Sequence, residues 1–424
     1  YLLVYSSFCI FLYSRVRRSG DDLMSPLFIT TAVFLLTVNT GGFIAVEDDL
    51  YEILDILTAI SMSFITMCSF YFGYLFFLGQ YKKPQTKSAI VTDQHKKLSL
   101  PIVYAIISVA AGVLILIKLI DLLGFSSITE VFFNLLIFRE RWGAGGMSYL
   151  MYLALFLIEA PYWMWLLHRR KPFKPSLLFV LYTSLVVAVF ILTGARIFIM
   201  NLAIGFLLVW NMRVSKITPK KSLKILFIFL PFLSFFFYMQ GVFRGENMEL
   251  MALQSGMDSY QFFDSVYLFI HRLSDSYLGF IEVVSKFDNI DLLWGKSFVN
   301  ALSMPIPRAI YPDKPHSFNM ETMYTLYPHL KGIFFGTGYS MYAELLLNGH
   351  VFGLIVGGVI YGYIVAFLNG KYIRHKNNNN LVFFVFYKMI ITLPFWFYSG
   401  GLINNADAYS ILLLSLLFFT LFKF

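Results

Sequence analysis

Apolar segments about as long as a membrane is thick recur along almost the whole chain. A helix needs about 20 mostly apolar residues to cross the hydrocarbon core of a bilayer. Because 58% of the residues are hydrophobic and only 13% are charged, one soluble core cannot bury this much apolar surface. The sequence therefore predicts an all-α polytopic membrane protein. About eleven spans are predicted, at residues 1–14, 25–43, 53–79, 98–124, 147–167, 175–193, 197–212, 223–242, 340–369, 380–399 and 408–422.

Lysine and arginine residues fall in alternate connections between these predicted spans. By the positive-inside rule, such connections face the cytoplasm. The connections 44–52 and 400–407 contain no Lys or Arg, so they face outward, and the long connection 243–339 lies on the same outer side. The net charge of +9 is then a topology signal, and no nucleic-acid partner is needed to explain it. The basic connections contain Arg15, Arg17 and Arg18; Lys82, Lys83, Lys87, Lys96 and Lys97; Arg169, Arg170, Lys171 and Lys174; Arg213, Lys216, Lys220, Lys221 and Lys224; Lys371, Arg374 and Lys376.

The predicted spans divide the chain into three parts. Residues 1–242 form a bundle of eight spans, residues 243–339 form a large extracytoplasmic loop with amphipathic helices, and residues 340–424 form three further spans. The chain begins with Tyr1 inside an apolar run, so we expect the native N-terminus to lie upstream. Cys9 and Cys68 both lie in apolar segments, which predicts buried side chains rather than a disulfide framework or a metal cluster.

The outer loop contains one segment with helical periodicity, at residues 261–287. Its apolar residues recur at spacings of three and four, which predicts an amphipathic helix along the membrane surface. Arg272 lies in an otherwise apolar turn, where a charged group needs a partner. The alternative is that the polar residues of this helix form only a solvated face.

A proline-rich segment, PIPRAIYPDKP from Pro305 to Pro315, follows in the same loop. Proline fixes its own φ and disfavours the α region for the residue before it, which predicts a stiff, extended segment. Such a segment holds Arg308 and Lys314 in fixed positions, which suits binding of phosphate oxygens. The alternative is a rigid strut that carries solvated cations.

Two further arginines lie at the outer ends of predicted spans. Arg196 follows a tight reversal, and Arg244 marks the end of the eighth span. An arginine at a helix end often extends only to the lipid headgroups. The interpretation that we favour is that four outward cations from separate parts of the sequence surround one diphosphate.

Glu344 lies close to the outer end of the ninth span. A carboxylate there is costly unless it is paired or hydrated. It is our candidate for a general base that accepts the proton of a sugar hydroxyl, and the alternative is an ion pair that fixes the loop to the bundle. His350, which lies on another face if the helix is continuous, is a secondary candidate together with Tyr339.

Four short motifs together resemble the bacterial O-antigen polymerases, which are also called Wzy-type oligosaccharide repeat-unit polymerases. They are TGAR (Thr193 to Arg196), FRG (Phe243 to Gly245), the proline-rich segment, and the start of the helix that bears Glu344. The resemblance implies a fold like that of the GT-C-like polymerase and ligase membrane glycosyltransferases, with the active site on the outer face of the bacterial cytoplasmic membrane.

This resemblance also implies a reaction and a set of roles. A growing glycan is transferred from its polyprenyl diphosphate to a hydroxyl of the next lipid-linked repeat unit. Glu344 activates the acceptor hydroxyl, and no metal or other cofactor takes part. The partners are the lipid-linked oligosaccharide, membrane lipid and, as a candidate, a chain-length-regulating co-polymerase. The diphosphate is held by Arg196, Arg244, Arg272 and Arg308, with help from Lys314.

Two other functions fit the same sequence features. A ligase uses the same donor with another acceptor, and ligases of this broad fold have a histidine near the position of Glu344. A flippase or other transporter of lipid-linked oligosaccharide also needs many spans, but it requires polar groups near the centre of the bilayer. The nearest such groups are Lys118 and Asp121 in the fourth span and Lys388 in the tenth. We expect Lys118 and Asp121 to pair across one helical turn.

Overall fold

The computed structural model of this chain describes most of the predicted bundle and three parts of the outer loop. Every regular element in the described ranges is helical. The described residues are 1–16, 22–80, 102–134, 137–138, 148–169, 172–192, 196–215, 217, 262–303, 306, 310–311, 313–331, 338–375 and 387. The α-helices are α1 (Leu2–Val16), α2 (Pro26–Glu47), α3 (Ile53–Gln80), α4 (Ile102–Leu122), α5 (Ile128–Phe133), α6 (Ser148–His168), α7 (Leu177–Leu192), α8 (Arg196–Arg213), α9 (Phe262–Ser285), α10 (Lys296–Ser303), α11 (Phe318–Leu326) and α12 (Met341–His375).

Five of these helices, α2, α3, α4, α6 and α12, are long and apolar enough to cross a membrane. Apolar but shorter helices occur within α1, α7 and α8. The prediction of a helical membrane protein is therefore confirmed. The predicted spans 223–242 and 408–422 lie outside the described residues, as does 380–399 apart from residue 387.

Helix α2 shows how the sequence begins a span. Ser25 has an extended backbone, and its hydroxyl accepts a hydrogen bond of 3.3 Å from the Phe28 amide. Pro26 occupies the first turn of the helix, where its missing N–H costs nothing. The apolar run that follows then continues without a break to Glu47.

Helices α3 and α12 form the most extensive pair in the described bundle. Gly358 lies against the Thr66 carbonyl and Gly362 lies against the Phe70 carbonyl, so the two helices run parallel. A Cβ atom at residue 362 would lie 1.9 Å from the Phe70 oxygen. The glycines therefore allow the two backbones to touch, and the part of α12 that contains them starts at the same end of the bundle as α3.

Helix α12 is broken near its beginning. Gly349 has φ −161° and ψ 21°, and His350 has φ 54° and ψ −150°, both outside the helical region. The sequence predicted one continuous span over 340–369, whereas the structure has a short helix up to Asn348 and a long one from Val351. The chain folds back at this break, because a Cβ atom at Gly353 would lie 2.1 Å from the Leu345 carbonyl oxygen.

Helix α9 confirms the predicted helix over 261–287. Its C-terminal half packs against α2 and α3, where Tyr277, Phe280, Ile281 and Val283 are fully buried. The Tyr277 hydroxyl lies 3.0 Å from the hydroxyl of Ser63. The predicted position along the membrane surface is therefore not seen for this half of the helix, which is part of the bundle.

Helix α1 packs against α2 and α3. Helices α4, α6, α7 and α8 share a second hydrophobic core with the beginning of α2. A polar cluster at this end of α2 joins distant parts of the chain. The Tyr372 hydroxyl donates to both carboxylate oxygens of Asp22, at 2.8 and 2.9 Å. Asn211 donates to Asp22 at 3.2 Å. We call this the Asp22 end of the bundle. We call the opposite end, which contains Tyr51 after α2 and the break in α12 at His350, the loop end.

Candidate functional site

Glu344 is buried at the loop end of the bundle, with 1% of its surface exposed. Its Oε1 atom accepts a hydrogen bond of 2.9 Å from the hydroxyl of Ser297. The same hydroxyl oxygen accepts a hydrogen bond of 2.6 Å from the side-chain amide of Asn348. Glu344 and Asn348 lie one turn apart on α12, whereas Ser297 lies on α10, in the loop. The candidate base is thus enclosed between the bundle and the loop.

Asn348 is held in place by its own helix. Its Nδ2 atom also donates to the backbone carbonyl of Glu344 at 2.7 Å. Its Oδ1 atom is buried and has no hydrogen-bond partner among the described residues. A buried acceptor without a donor costs free energy, so this oxygen is a position where a ligand hydroxyl would be favoured.

Three backbone and ring contacts bring the loop to the beginning of α12. The Leu293 amide donates to the Leu347 carbonyl at 2.7 Å. The Ser340 amide donates to the Ser276 carbonyl of α9 at 3.2 Å. The ring of Phe287 packs edge-on against His350, with 5.1 Å between ring centres. These contacts position α10 directly over the short first segment of α12.

The two secondary candidates occupy different environments. Tyr339 is fully buried, and its backbone amide donates to the side chain of Asn319 at 3.2 Å. This contact attaches α11 to the beginning of α12. His350 is exposed and lies at the break in the helix, so the assignment of its face from a continuous helix does not apply.

The cationic candidates are described to different extents. Arg196 is the first residue of α8, and Arg272 lies within α9, but both side chains lie outside the described part of the structure. Arg244 and Arg308 lie wholly outside the described residues. Lys314 is half-buried, and its amide donates to the Tyr311 carbonyl at 3.2 Å, so this part of the proline-rich segment is a turn. Convergence of the cations on a diphosphate stays a prediction.

A second polar cluster holds the loop against α9. Lys286 donates to Glu282 at 2.9 Å and to the Tyr327 hydroxyl at 3.0 Å. The Tyr327 hydroxyl also donates to Glu282. Burial raises the pKa of Tyr327, and its hydrogen bond to Glu282 raises it further. Burial, with the nearby Glu282 carboxylate, raises the pKa of Tyr51. The neutral phenol of Tyr327 is therefore favoured as a donor to Glu282.

Three residues of interest were given no role from the sequence. Ser297 gave no signal, because its partners are about 50 residues away in the sequence. Asn348 follows Glu344 by one helical turn, and this i, i+4 spacing is a signal that was available. Glu159 was detectable as a carboxylate at the centre of a predicted span. Its Oε1 atom accepts a hydrogen bond of 2.6 Å from the indole of Trp163.

The described residues contain no group of three or more His, Cys, Asp or Glu side chains that could hold a metal ion. Because only the described residues were searched, the absence of a metal cofactor is still a prediction. Comparison with models of known protein families, with curated proteins and with solved structures finds no match. Fold and composition define the class plainly as a helical membrane protein, and the site supports a more specific proposal.

Proposed function

We propose that this protein polymerises oligosaccharide repeat units carried on a polyprenyl diphosphate. The growing glycan is transferred to a hydroxyl of the next lipid-linked unit, on the outer face of the bacterial cytoplasmic membrane. Glu344 accepts the proton of the attacking hydroxyl, and the diphosphate leaves with the electron pair of the broken bond to the sugar. Arg196, Arg244 and Arg308, together with Arg272 and Lys314, stabilise the charge that develops on the leaving group.

The observation that carries this proposal is the burial of Glu344 beneath the outer loop. A carboxylate with 1% exposure at the end of a membrane helix requires a compensating function or partner. Its carboxylate already accepts a hydrogen bond from the alcohol of Ser297, which is the contact that a general base makes with a sugar hydroxyl. One of the four motifs that resemble O-antigen polymerases is the start of α12 itself, which bears Glu344.

Purified protein incubated with lipid-linked repeat units alone tests the reaction. We expect a ladder of longer lipid-linked glycans, separated by one repeat unit. A protein that forms product only after a second acceptor lipid is added is a ligase. A protein that forms no product under either condition contradicts the glycosyl transfer proposal.

Arginine variants test the binding of the diphosphate. Arg196→Ala and Arg308→Ala should each reduce donor use severely, because an unscreened diphosphate is a poor leaving group. Lys331→Ala is the matched control, since Lys331 is an exposed cation of the same loop. Near-normal turnover in both arginine variants would restrict these residues to a structural role.

Glu159 favours the second candidate function, which is transport of the lipid-linked oligosaccharide. It lies at the centre of the candidate span Leu150–Leu167, where an ionisable group usually marks a pathway or a proton relay. In proteoliposomes, a transporter should move the oligosaccharide headgroup across the bilayer, and Glu159→Gln should slow this movement. Elongation of glycans by the same preparation without such movement favours the polymerase.

A further inference from the structure

The Ser297 hydroxyl has the surroundings that a reacting sugar hydroxyl requires. It donates to the Glu344 carboxylate at 2.9 Å and accepts from the Asn348 amide at 2.6 Å. A general base must lie within about 2.6–3.2 Å of the hydroxyl whose proton it removes. An amide donor on the same oxygen fixes its position in front of the base. Glu344 and Asn348 therefore form a complete binding site for one alcohol.

The unpartnered oxygen of Asn348 extends this site. Asn348 is 7% exposed, and its Oδ1 atom has no partner among the described residues. The single hydroxyl of Ser297 cannot satisfy both atoms of the amide. A sugar carries hydroxyls on adjacent carbons, so a second hydroxyl of the same ring would donate to Oδ1. The site is better matched to a sugar than to the serine that occupies it.

Helix α10, which carries Ser297, is a short helix whose outer contacts are weak, although Phe298 packs against the core of the bundle. It follows two residues with left-handed backbone, Trp294 with φ 47° and Gly295 with φ 84°, and such a conformation is strained at a tryptophan. Its ion pair, Lys296 to Glu321 at 3.0 Å, has a largely exposed lysine and contributes little to stability. Val299 on the same helix is 67% exposed. The helix is thus a small element on the surface of the bundle that covers the buried base.

We propose that Glu344 and Asn348 form the acceptor-hydroxyl site, and that Ser297 occupies this site until an acceptor sugar displaces it together with α10. The assignment of a sugar as the ligand rests on the proposed function. In the reaction, the acceptor oxygen forms a bond to the anomeric carbon of the donor. The bond from that carbon to the phosphate oxygen breaks, and the proton of the acceptor hydroxyl goes to Glu344.

Kinetics with a fixed lipid-linked glycan donor and a varied single-unit acceptor test this proposal. Ser297→Ala removes the internal competitor, so kcat/KM for the acceptor should rise about three- to tenfold, the value of one hydrogen bond. Asn348→Ala should lower kcat/KM about tenfold or more, because it removes a contact to the reacting oxygen. Ser303→Ala is the control, because this serine of the same helix donates to the Asn300 carbonyl of its own helix and, among the described residues, to no other group. A loss of kcat in Ser297→Ala would overturn the proposal, since it would show that the hydroxyl orients Glu344.

A distance measurement tests the displacement without turnover. Spin labels at Val299→Cys and Phe352→Cys, in a Cys9→Ala, Cys68→Ala background, report the separation of α10 from α12. Both label positions are exposed, at 67% and 72%. Saturating lipid-linked single units should add a longer distance, and Asn348→Ala should reduce this change. An unchanged distance in the labelled protein that keeps Ser297 and Asn348 would overturn the proposal. This result does not depend on whether Ser297→Ala folds.

The two experiments separate this proposal from the function on which it rests. A longer distance without glycan elongation supports the alcohol site and contradicts polymerisation. Elongation with an unchanged distance supports polymerisation and contradicts displacement of α10.

Discussion

The hydroxyl of Ser297 donates a hydrogen bond of 2.9 Å to the carboxylate of Glu344, although 47 residues separate the two in the sequence. The contact joins the outer loop to the first segment of α12. Glu344 is therefore both the candidate general base and a residue that attaches the loop to the bundle. Substitutions at this site must therefore be tested for stability as well as for activity.

Glu344→Gln should abolish most of the glycan elongation. The glutamine oxygen still accepts from Ser297, so the fold should be retained, but an amide cannot take a proton from the acceptor. General-base catalysis contributes about 10²- to 10⁴-fold to a rate, and we expect a loss in kcat of that order. The measurement is the rate of ladder formation, together with the melting temperature of the purified protein.

Glu47→Gln is the matched control, since Glu47 is an exposed carboxylate at the end of α2. It should elongate glycans at the normal rate. Elongation that survives unchanged in Glu344→Gln would remove this residue from the mechanism and leave it as an attachment of the loop.

Gly362→Ala should destabilise the pair formed by α3 and α12. The added methyl group would lie 1.9 Å from the backbone oxygen of Phe70, so the helices would have to separate. Overpacking of this kind costs about 1–3 kcal/mol. The thermal unfolding of the purified protein in detergent measures the effect.

Gly349→Ala is the control for this substitution. An added Cβ atom at residue 349 meets nothing within 4 Å, and the φ of −161° is accessible to alanine. The melting temperature should change little. Equal melting temperatures for Gly362→Ala and the unmodified protein would contradict the close contact of the two backbones.

Tyr372→Phe should weaken the Asp22 end of the bundle. The phenol donates to both oxygens of Asp22, and a hydrogen bond to a charged group contributes about 1.5–3 kcal/mol. Tyr363→Phe is the control, because Tyr363 lies on the same helix and is 45% exposed. We expect the melting temperature to drop in Tyr372→Phe and not in Tyr363→Phe. Equal drops in the two variants would indicate a general effect of losing a phenol on α12.

The spans of this fold could be predicted because their signal is local. The apolar run from Pro26 to Glu47 needs no knowledge of the rest of the chain. The pairing of Lys118 with Asp121, observed at 3.3 Å, is also local, since one helical turn brings the two side chains together. Features of this kind depend on the spacing of residues within one helix.

The remaining features depend on how distant segments meet. The periodicity of α9 predicts an apolar face, but it does not reveal that Gly41 of α2 accommodates the ring of Tyr277, as the structure shows. The break at Gly349 and His350 follows no helical pattern, because His350 adopts a positive φ that its neighbours must hold in place. Ser297 could not be associated with Glu344 for the same reason.

Alkaline pH should weaken the attachment of the loop to α9 through Lys286 and Tyr327. Burial lowers the pKa of Lys286, but its hydrogen bonds to Tyr327 and Glu282 outweigh this and raise the pKa above the usual 10.5. Burial and the bond to Glu282 raise the pKa of Tyr327 above the usual 10.0. Because both pKa values are raised in the folded protein, their contribution to stability is complete below about pH 10. It is lost as the pH rises through the folded values.

Tyr327→Phe separates this effect from the titration of the other tyrosines. The variant keeps the ring beneath Lys286, whose ammonium lies 4.3 Å from the ring centre, but it loses the phenol proton. Melting temperatures between about pH 8 and pH 12 should fall less steeply in the variant than in the unmodified protein, because one raised pKa has been removed. Parallel curves would show that Tyr327 ionises equally easily in the folded and unfolded chains. The cluster of Glu282, Lys286 and Tyr327 would then not make the stability of the loop attachment depend on pH.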